Sequence, residues 1–207
     1  MKIILVDDHP IVCYGLTLLI NHEPDLEVCG EARDIPEALC IIEKTKPDIA
    51  VVDISLGNMS GLVLTETIRE RYPDVRVLIL SMYEESLYAE RVLRAGAAGY
   101  VMKSEATEKL VKVIRQILNA EIYVSRVVAS RLLKLFYSNK LKKGTFFFDN
   151  LSDRELEVFQ LISCGFRTRD IAEKLQLSPN TIETYLGKIR QKLNLENNRE
   201  LIRHAIA

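Results

Sequence analysis

Three short runs, Ile3–Val6, Ile49–Val52 and Val75–Leu80, are dominated by apolar, largely β-branched residues with no alternation of polar and apolar positions. Strands buried on both faces read this way, and such strands belong to parallel sheets with helices above and below. Two further segments, Leu26–Gly30 and Ala98–Met102, bring the strands to five. Between them lie helical patterns at Ile11–Ile20, Ile35–Lys44, Leu62–Arg71, Ser86–Ala95 and Thr107–Leu118. The alternation predicts an α/β fold over residues 1–118, a doubly wound five-stranded parallel sheet. A sheet of this kind carries its site at the carboxyl ends of its strands.

Beyond residue 120 the pattern changes. A linker is expected over 119–150, with an amphipathic helix at Ser125–Asn139 that places Val128, Leu132 and Leu135 on one side. A basic turn, Lys140–Gly144, and the run Phe146–Phe148 follow; the phenylalanines are expected to pack against one of the flanking domains. Residues 151–207 read as a small all-α domain. Ser152 and Glu155 have capping-box spacing, and Leu151 and Leu156 occupy the two positions of a hydrophobic staple. Gly165 ends that helix. Thr168 is expected to cap a short second helix, Asp170–Leu175. Ser178 followed by Pro179 starts a third that runs to Leu193. Asn197 and Glu200 begin a fourth.

Charge follows the same division. Residues 1–118 carry 13 basic against 19 acidic side chains, 119–150 carry 6 against 2, and 151–207 carry 9 against 8. An acidic front and a slightly basic rear suit a switch attached to a polyanion binder. No apolar run approaches the roughly 18 residues a membrane span needs, and the first residues enter a strand directly, so neither a membrane anchor nor a signal peptide is expected. The four cysteines, Cys13, Cys29, Cys40 and Cys164, show no metal-ligand spacing and read as reduced thiols of a cytoplasmic protein.

Asp7 and Asp8 follow the first strand, Asp53 the third, Ser81 the fourth and Lys103 the fifth. Three carboxylates at one sheet edge repel one another unless a hard cation lies between them, and Mg²⁺ suits oxygen donors. A carboxylate nucleophile, a metal and a lysine are the parts needed to place a phosphoryl group on an aspartate. Taken singly, Asp7 and Asp8 could instead cap the first helix, and His9 reads as solvated.

Together these residues resemble the receiver domain of two-component systems over all of 1–118. The resemblance implies phosphorylation at Asp53, a Mg²⁺ site formed by Asp8, Asp53 and the carbonyl of Ser55 with Asp7 acting through water, and a switch made of Ser81, Tyr100 and Lys103. On phosphorylation Tyr100 is expected to turn inward. Two positions depart from the family: Gly57 and Ser104 stand where proline is usual.

Residues 151–207 resemble the LuxR/NarL-type (FixJ) helix-turn-helix, through Leu151-Ser-Asp-Arg-Glu-Leu-Glu-Val158, Gly165, Asp170-Ile-Ala-Glu-Lys-Leu175, Ser178, Thr181-Ile182, Lys192-Leu193 and Glu200-Leu201. The resemblance implies that the third helix enters the major groove of double-stranded DNA. Glu183, Thr184 and Gly187 then face bases, and Thr168, Arg169, Thr181, Lys188 and Arg190 face phosphates. Glu183 reads equally as a charge stabilising its helix's N-terminus. The helix has only three basic residues, all at or after Lys188, and Glu183, Tyr185 and Asn198 replace the family's usual Lys, His and Arg. Affinity per module is therefore expected to be modest, and a homodimer on DNA is expected.

The whole implies a transcriptional response regulator, phosphorylated by a sensor histidine kinase, with RNA polymerase as a further candidate partner and no enzymatic activity of its own. Two other classes suit the residues less well. A phospho-switched interaction module leaves the helix-turn-helix without a task. An aspartate-nucleophile phosphatase needs a second Asp two residues after the nucleophile, where this chain has Ser55.

Overall fold

The computed structural model describes residues 1–57, 59–137, 150–197 and 200–201. The chain divides into two compact units, Met1–Leu133 and Lys134–Ala207.

The first unit is built on β1 (Lys2–Val6), β2 (Glu27–Ala32), β3 (Ile49–Val52), β6 (Arg76–Ser81) and β7 (Gly99–Met102). These form one parallel sheet in the order β2-β1-β3-β6-β7. The order reverses beside β1, so the ends of β1 and β3 share the crevice where a doubly wound sheet binds its ligand. Ile3, Leu5, Ile49, Val51, Leu78, Leu80 and Val101 point to the face covered by α1 (Pro10–Asn21) and α5 (Ala106–Leu118). The alternate residues, Ile4, Val6, Ala50, Val52 and Ile79, are equally buried. Burial of successive residues explains the unbroken apolar runs. The other helices are α2 (Ile35–Thr45), α3 (Gly61–Arg71) and α4 (Glu85–Ala95).

Two features were not expected. Ser55–Leu56 (β4) and Met59–Ser60 (β5) form a two-stranded antiparallel ribbon in the loop after β3. After α5, Tyr123 pairs with β7: its N–H donates to Ala98 O at 2.9 Å and its carbonyl accepts from Tyr100 N at 3.1 Å. Helix α6 (Arg126–Tyr137) begins one residue later than expected, because Ser125 is its cap and accepts from Val128 N. Val128 is buried, whereas Val127 and Leu133 are exposed. Residues 138–139 of the expected helix, the turn Lys140–Gly144 and Phe146–Phe148 lie outside the described residues.

In the second unit, α7 (Asp153–Ser163), α8 (Thr168–Lys174) and α9 (Pro179–Leu193) surround a core that includes Leu156, Phe159, Ile171, Ile182, Leu186 and Ile189. The capping box is formed: Ser152 Oγ accepts from Glu155 N, and Glu155 Oε2 accepts from Ser152 N. Leu151 and Leu156 are both buried. Gly165 takes φ +85° and reverses the chain after α7, a conformation glycine adopts without steric cost. The cap of α8 corrects the expectation. Arg167, not Thr168, precedes the helix, and Asp170 accepts from the Arg167 N–H; Thr168 is the first helical residue and its hydroxyl is used elsewhere. Asn197 Oδ1 accepts from Glu200 N, and Glu200 and Leu201 are helical; the rest of the expected fourth helix lies outside the described residues.

No described helix is long and apolar enough to cross a membrane.

Candidate functional site

Asp7 and Asp53 each stand one residue beyond a strand because the sheet ladder continues through their backbones: Asp7 N donates to Ala32 O and Asp53 N to Val6 O. Both carboxylates are almost fully buried. Lys103, one residue beyond β7, reaches across the edge, its Nζ 2.6 Å from Asp7 Oδ2 and 2.7 Å from Asp53 Oδ2. Burial pushes the Asp53 carboxyl up to about 6; the Lys103 charge opposes this and the Asp7 charge adds to it. For Lys103 burial works against the charge, but Asp53 and Asp7 outweigh it and hold the ammonium above its ordinary value.

Asp8 is held differently. Its Oδ2 accepts from the Gly57 N–H at 3.0 Å. Gly57 has φ +56°, which proline cannot adopt, and proline has no N–H to give. The departure from the family pattern therefore provides a hydrogen bond to the acidic pair. Asp8 Oδ1 is buried and makes no aligned hydrogen bond among the described residues. His9 Nδ1 lies 2.7 Å from it and 3.1 Å from Asp7 Oδ1. Asp7, Asp8, His9 and Asp53 each offer a ligand atom within 4.8 Å of the others, so the cluster can hold a divalent cation. Buried carboxylate oxygens gathered in this way are what such an ion satisfies. The helix-cap reading of Asp7 and Asp8 is not what forms: His9 is the cap residue of α1, and no side chain caps it.

Ser81 is fully buried, with its Oγ accepting from Tyr83 N. Tyr100 is 1% exposed, and its hydroxyl donates to Tyr83 O at 2.7 Å. Tyr83, which the sequence pattern does not single out, lies between them. Its hydroxyl is 3.0 Å from Ser55 Oγ, and its ring stacks on Tyr88. The only sequence signal for it is an aromatic two residues after Ser81. Gly61 starts α3 directly beneath the Asp53 loop, where a Cβ would lie 1.9 Å from Asp53 O.

In the helical unit, α9 buries Ile182, Leu186 and Ile189 and exposes Glu183, Thr184 and Lys188 on another face. Gly187 opens on the surface, where an added Cβ would meet nothing nearer than Arg190 Nη2 at 4.0 Å. Thr181 is tied to the cap, its hydroxyl 2.8 Å from Ser178 Oγ. Arg169 is exposed and Arg190 half-buried. Thr168 Oγ1 donates to Glu183 Oε1 at 3.0 Å, joining the start of α8 to α9.

Residues 3–115 match the response regulator receiver domain, and residues 149–205 match the bacterial regulatory proteins of the luxR family. The chain is 36% identical over 211 residues to the oxygen regulatory protein NreC of Staphylococcus epidermidis, covering all of this chain and 97% of that protein. Among solved structures it is similar to a LuxR-family two-component response regulator from Aurantimonas, with TM-score 0.60 and 38% identity over 64% of this chain and 95% of that one. It is also similar to RcsB from Salmonella enterica serovar Typhimurium bound to promoter rprA with the phosphomimetic BeF3⁻, with TM-score 0.62 and 26% identity over 100% and 98% of the two chains. These are families of regulators, not of enzymes. The chain therefore belongs to the LuxR-type response regulators, DNA-binding proteins in which phosphorylation of a receiver domain activates a helix-turn-helix.

Proposed function

We propose that this regulator works in the cytoplasm and is phosphorylated on Asp53, in the presence of Mg²⁺, by a sensor histidine kinase. In this reading a receiver at 1–118 is joined by a linker at 119–150 to the DNA-binding domain at 151–207. The observation that carries it is the sharing of Lys103 between the buried Asp7 and Asp53, in a cluster with Asp8 whose carboxylate oxygens lie close enough to share one cation. Asp8, Asp53 and the Ser55 carbonyl, with Asp7 through water, would hold the ion, which would supply positive charge to offset that of the phosphoryl oxygens. An Asp53 oxygen attacks phosphorus in line, the bond from phosphorus to the donor imidazole breaks, and the imidazole takes a proton from water. Lys103 passes from Asp53 to a phosphoryl oxygen, and the Ser81 hydroxyl turns to another.

The donor reaches the pocket along α1. Ile11, Tyr14 and Leu18 are exposed there, and a groove of about 820 Å³ lined by Ile11 and Leu18 reaches Lys103. An exposed apolar strip of this kind suits a helical partner. A phosphatase reading is disfavoured because the Ser55 hydroxyl, at the acid/base place, is engaged with Tyr83.

On DNA, α9 lies in the major groove with Glu183, Thr184 and Gly187 toward bases. Thr168, Arg169, Thr181, Lys188 and Arg190 complete the contact face. With so few cations on that face, two copies on adjacent half-sites supply the affinity, and phosphorylation drives their pairing. RNA polymerase is the partner through which bound protein changes transcription.

The test is labelling by acetyl phosphate followed by gel shift on promoter fragments. Asp53→Asn and EDTA each abolish acid-labile phosphate and the phosphorylation-dependent shift. Undiminished labelling of Asp53→Asn would place the phosphoacceptor elsewhere.

A further inference from the structure

Glu183 and Thr168 both belong to the DNA-facing set, yet they are bonded to each other. Thr168 Oγ1 donates to Glu183 Oε1 at 3.0 Å across the turn between α8 and α9. A threonine hydroxyl has one proton to give. With that proton on Glu183, Thr168 has none left for a phosphate oxygen. Among the described residues no donor other than Thr168 reaches the Glu183 carboxylate, so Oε2 remains an acceptor on an exposed surface.

We infer that Thr168 is a positioning residue for base reading: it fixes the Glu183 carboxylate so that Oε2 meets a base-edge donor in the major groove. The inference rests on the reading that α9 enters that groove. A glutamate on an exposed helix face otherwise samples many rotamers, and ordering it on binding weakens discrimination. Holding one oxygen beforehand leaves the other directed. Cytosine N4 is the major-groove donor that acidic side chains accept from. Where guanine O6 or thymine O4 takes that place the carboxylate meets an acceptor, so misreading leaves two acceptors facing each other without a proton between them; adenine N6 donates there, so discrimination is strongest against guanine and thymine. The pair is thus a two-residue reader, with Thr168 on α8 and Glu183 on α9. The ordinary phosphate-contact role of a helix-start threonine is replaced by an intramolecular one.

The experiment is selection of binding sites from a random duplex library by the full-length protein treated with acetyl phosphate. The parent is compared with Glu183→Gln, Thr168→Val and Thr168→Ser, and thermal denaturation confirms that each variant is folded. Glu183→Gln identifies the base position that Glu183 reads, by loss of its cytosine preference. Thr168→Val is expected to lower discrimination at that same position by roughly 2- to 10-fold, the worth of one hydrogen bond. Thr168→Ser, which keeps the hydroxyl, restores it, and the double variant discriminates no worse than Glu183→Gln alone. If Thr168→Val keeps full stringency where Glu183→Gln loses it, the positioning role is overturned and base reading by Glu183 stands. If Thr168→Val weakens all duplexes equally and flattens the salt dependence, Thr168 is a phosphate contact and the inference is overturned. If Glu183→Gln itself changes no base preference, the base-reading role fails, and with it the positioning role.

Discussion

Lys103 Nζ lies 2.7 Å from Asp53 Oδ2, and the same nitrogen also serves Asp7, so two buried carboxylates share one cation. One positive charge remains too few, and the Asp53 carboxyl is pushed up to about 6, by burial first. A raised acid pKa means that the folded state binds more protons than the unfolded state between the ordinary value and 6. Stability therefore falls as pH rises through that window, and the full cost is present above it. In EDTA at pH 7.5, Asp53→Asn should raise the receiver's unfolding free energy by about 1–3 kcal/mol. Mg²⁺ should raise the melting temperature of the parent more than that of the variant. Calorimetry with and without the ion checks both. A variant less stable than the parent in EDTA would mean that Lys103 alone balances the pocket.

Gly61 supports Asp53 from below. A Cβ there would lie 1.9 Å from Asp53 O, and that carbonyl belongs to the backbone. Gly61→Ala must displace either the start of α3 or Asp53 itself. The expected cost is about 1–3 kcal/mol of receiver stability, with slower labelling by acetyl phosphate. Gly61→Ala with the parent's labelling rate would show that the loop yields without moving Asp53.

The start of α6 is attached to α4 through Glu85. Its carboxylate accepts from Ser125 N at 2.7 Å, at the start of α6, and Arg131 donates to Ser86 O. Glu85 lies four residues beyond Ser81. Glu85→Ala should loosen the first turn of α6 and speed tryptic cleavage after Arg126, while acetyl phosphate labelling of Asp53 proceeds as in the parent. Equal cleavage rates would show that Tyr123, paired with β7, holds the linker unaided.

Much of this is readable from the residues, for identifiable reasons. Strands β1, β3 and β6 announce themselves because both their faces are covered, and Asp7, Asp53, Ser81 and Lys103 follow as strand-end residues. Asp8 and Gly57 are legible as positions but not as a pair, because their hydrogen bond depends on a left-handed φ that no periodicity encodes. Tyr83 escapes the sequence since its role comes from its neighbours: its backbone serves Ser81 and Tyr100, and its hydroxyl serves Ser55. Tyr100 falls on its expected strand, but a side chain's rotamer is set by tertiary packing. In the helical unit the caps at Ser152 and Ser178 are local and visible. The bond from Thr168 to Glu183 spans 15 residues and is not.

Glu155 links the two ends of the helical unit. Its Oε2 accepts from Ser152 N at 2.6 Å and from Lys192 Nζ at 2.7 Å, on α9. Burial pushes the Glu155 carboxyl up, but Lys192 and Ser152 outweigh it and leave it below the ordinary glutamate value. A lowered pKa contributes stability that is complete above the unfolded value, about 4.3, and is lost as pH falls through the folded one. Glu155→Gln should cost about 1–2 kcal/mol at pH 7, and the gap from the parent should close below about pH 4. Chemical denaturation of the full chain across pH measures it. A pH-independent gap would assign the loss to packing and not to charge.

Gly187 is a glycine in the middle of α9, where the helix would be more stable without it. Its φ is not left-handed, and an added Cβ meets nothing nearer than Arg190 Nη2 at 4.0 Å. Neither backbone geometry nor packing therefore requires glycine here. Gly187→Ala should stabilise the helical unit by about 0.5–1 kcal/mol, the difference in helix propensity. If α9 faces the major groove, the new methyl group also meets the base edge that glycine leaves unread. Apolar side chains there favour the thymine methyl. The parent should be degenerate at that base position, and Gly187→Ala should acquire a preference for thymine. Binding-site selection with both proteins decides it. A more stable Gly187→Ala protein with the parent's site preferences would show that Gly187 faces away from the bases.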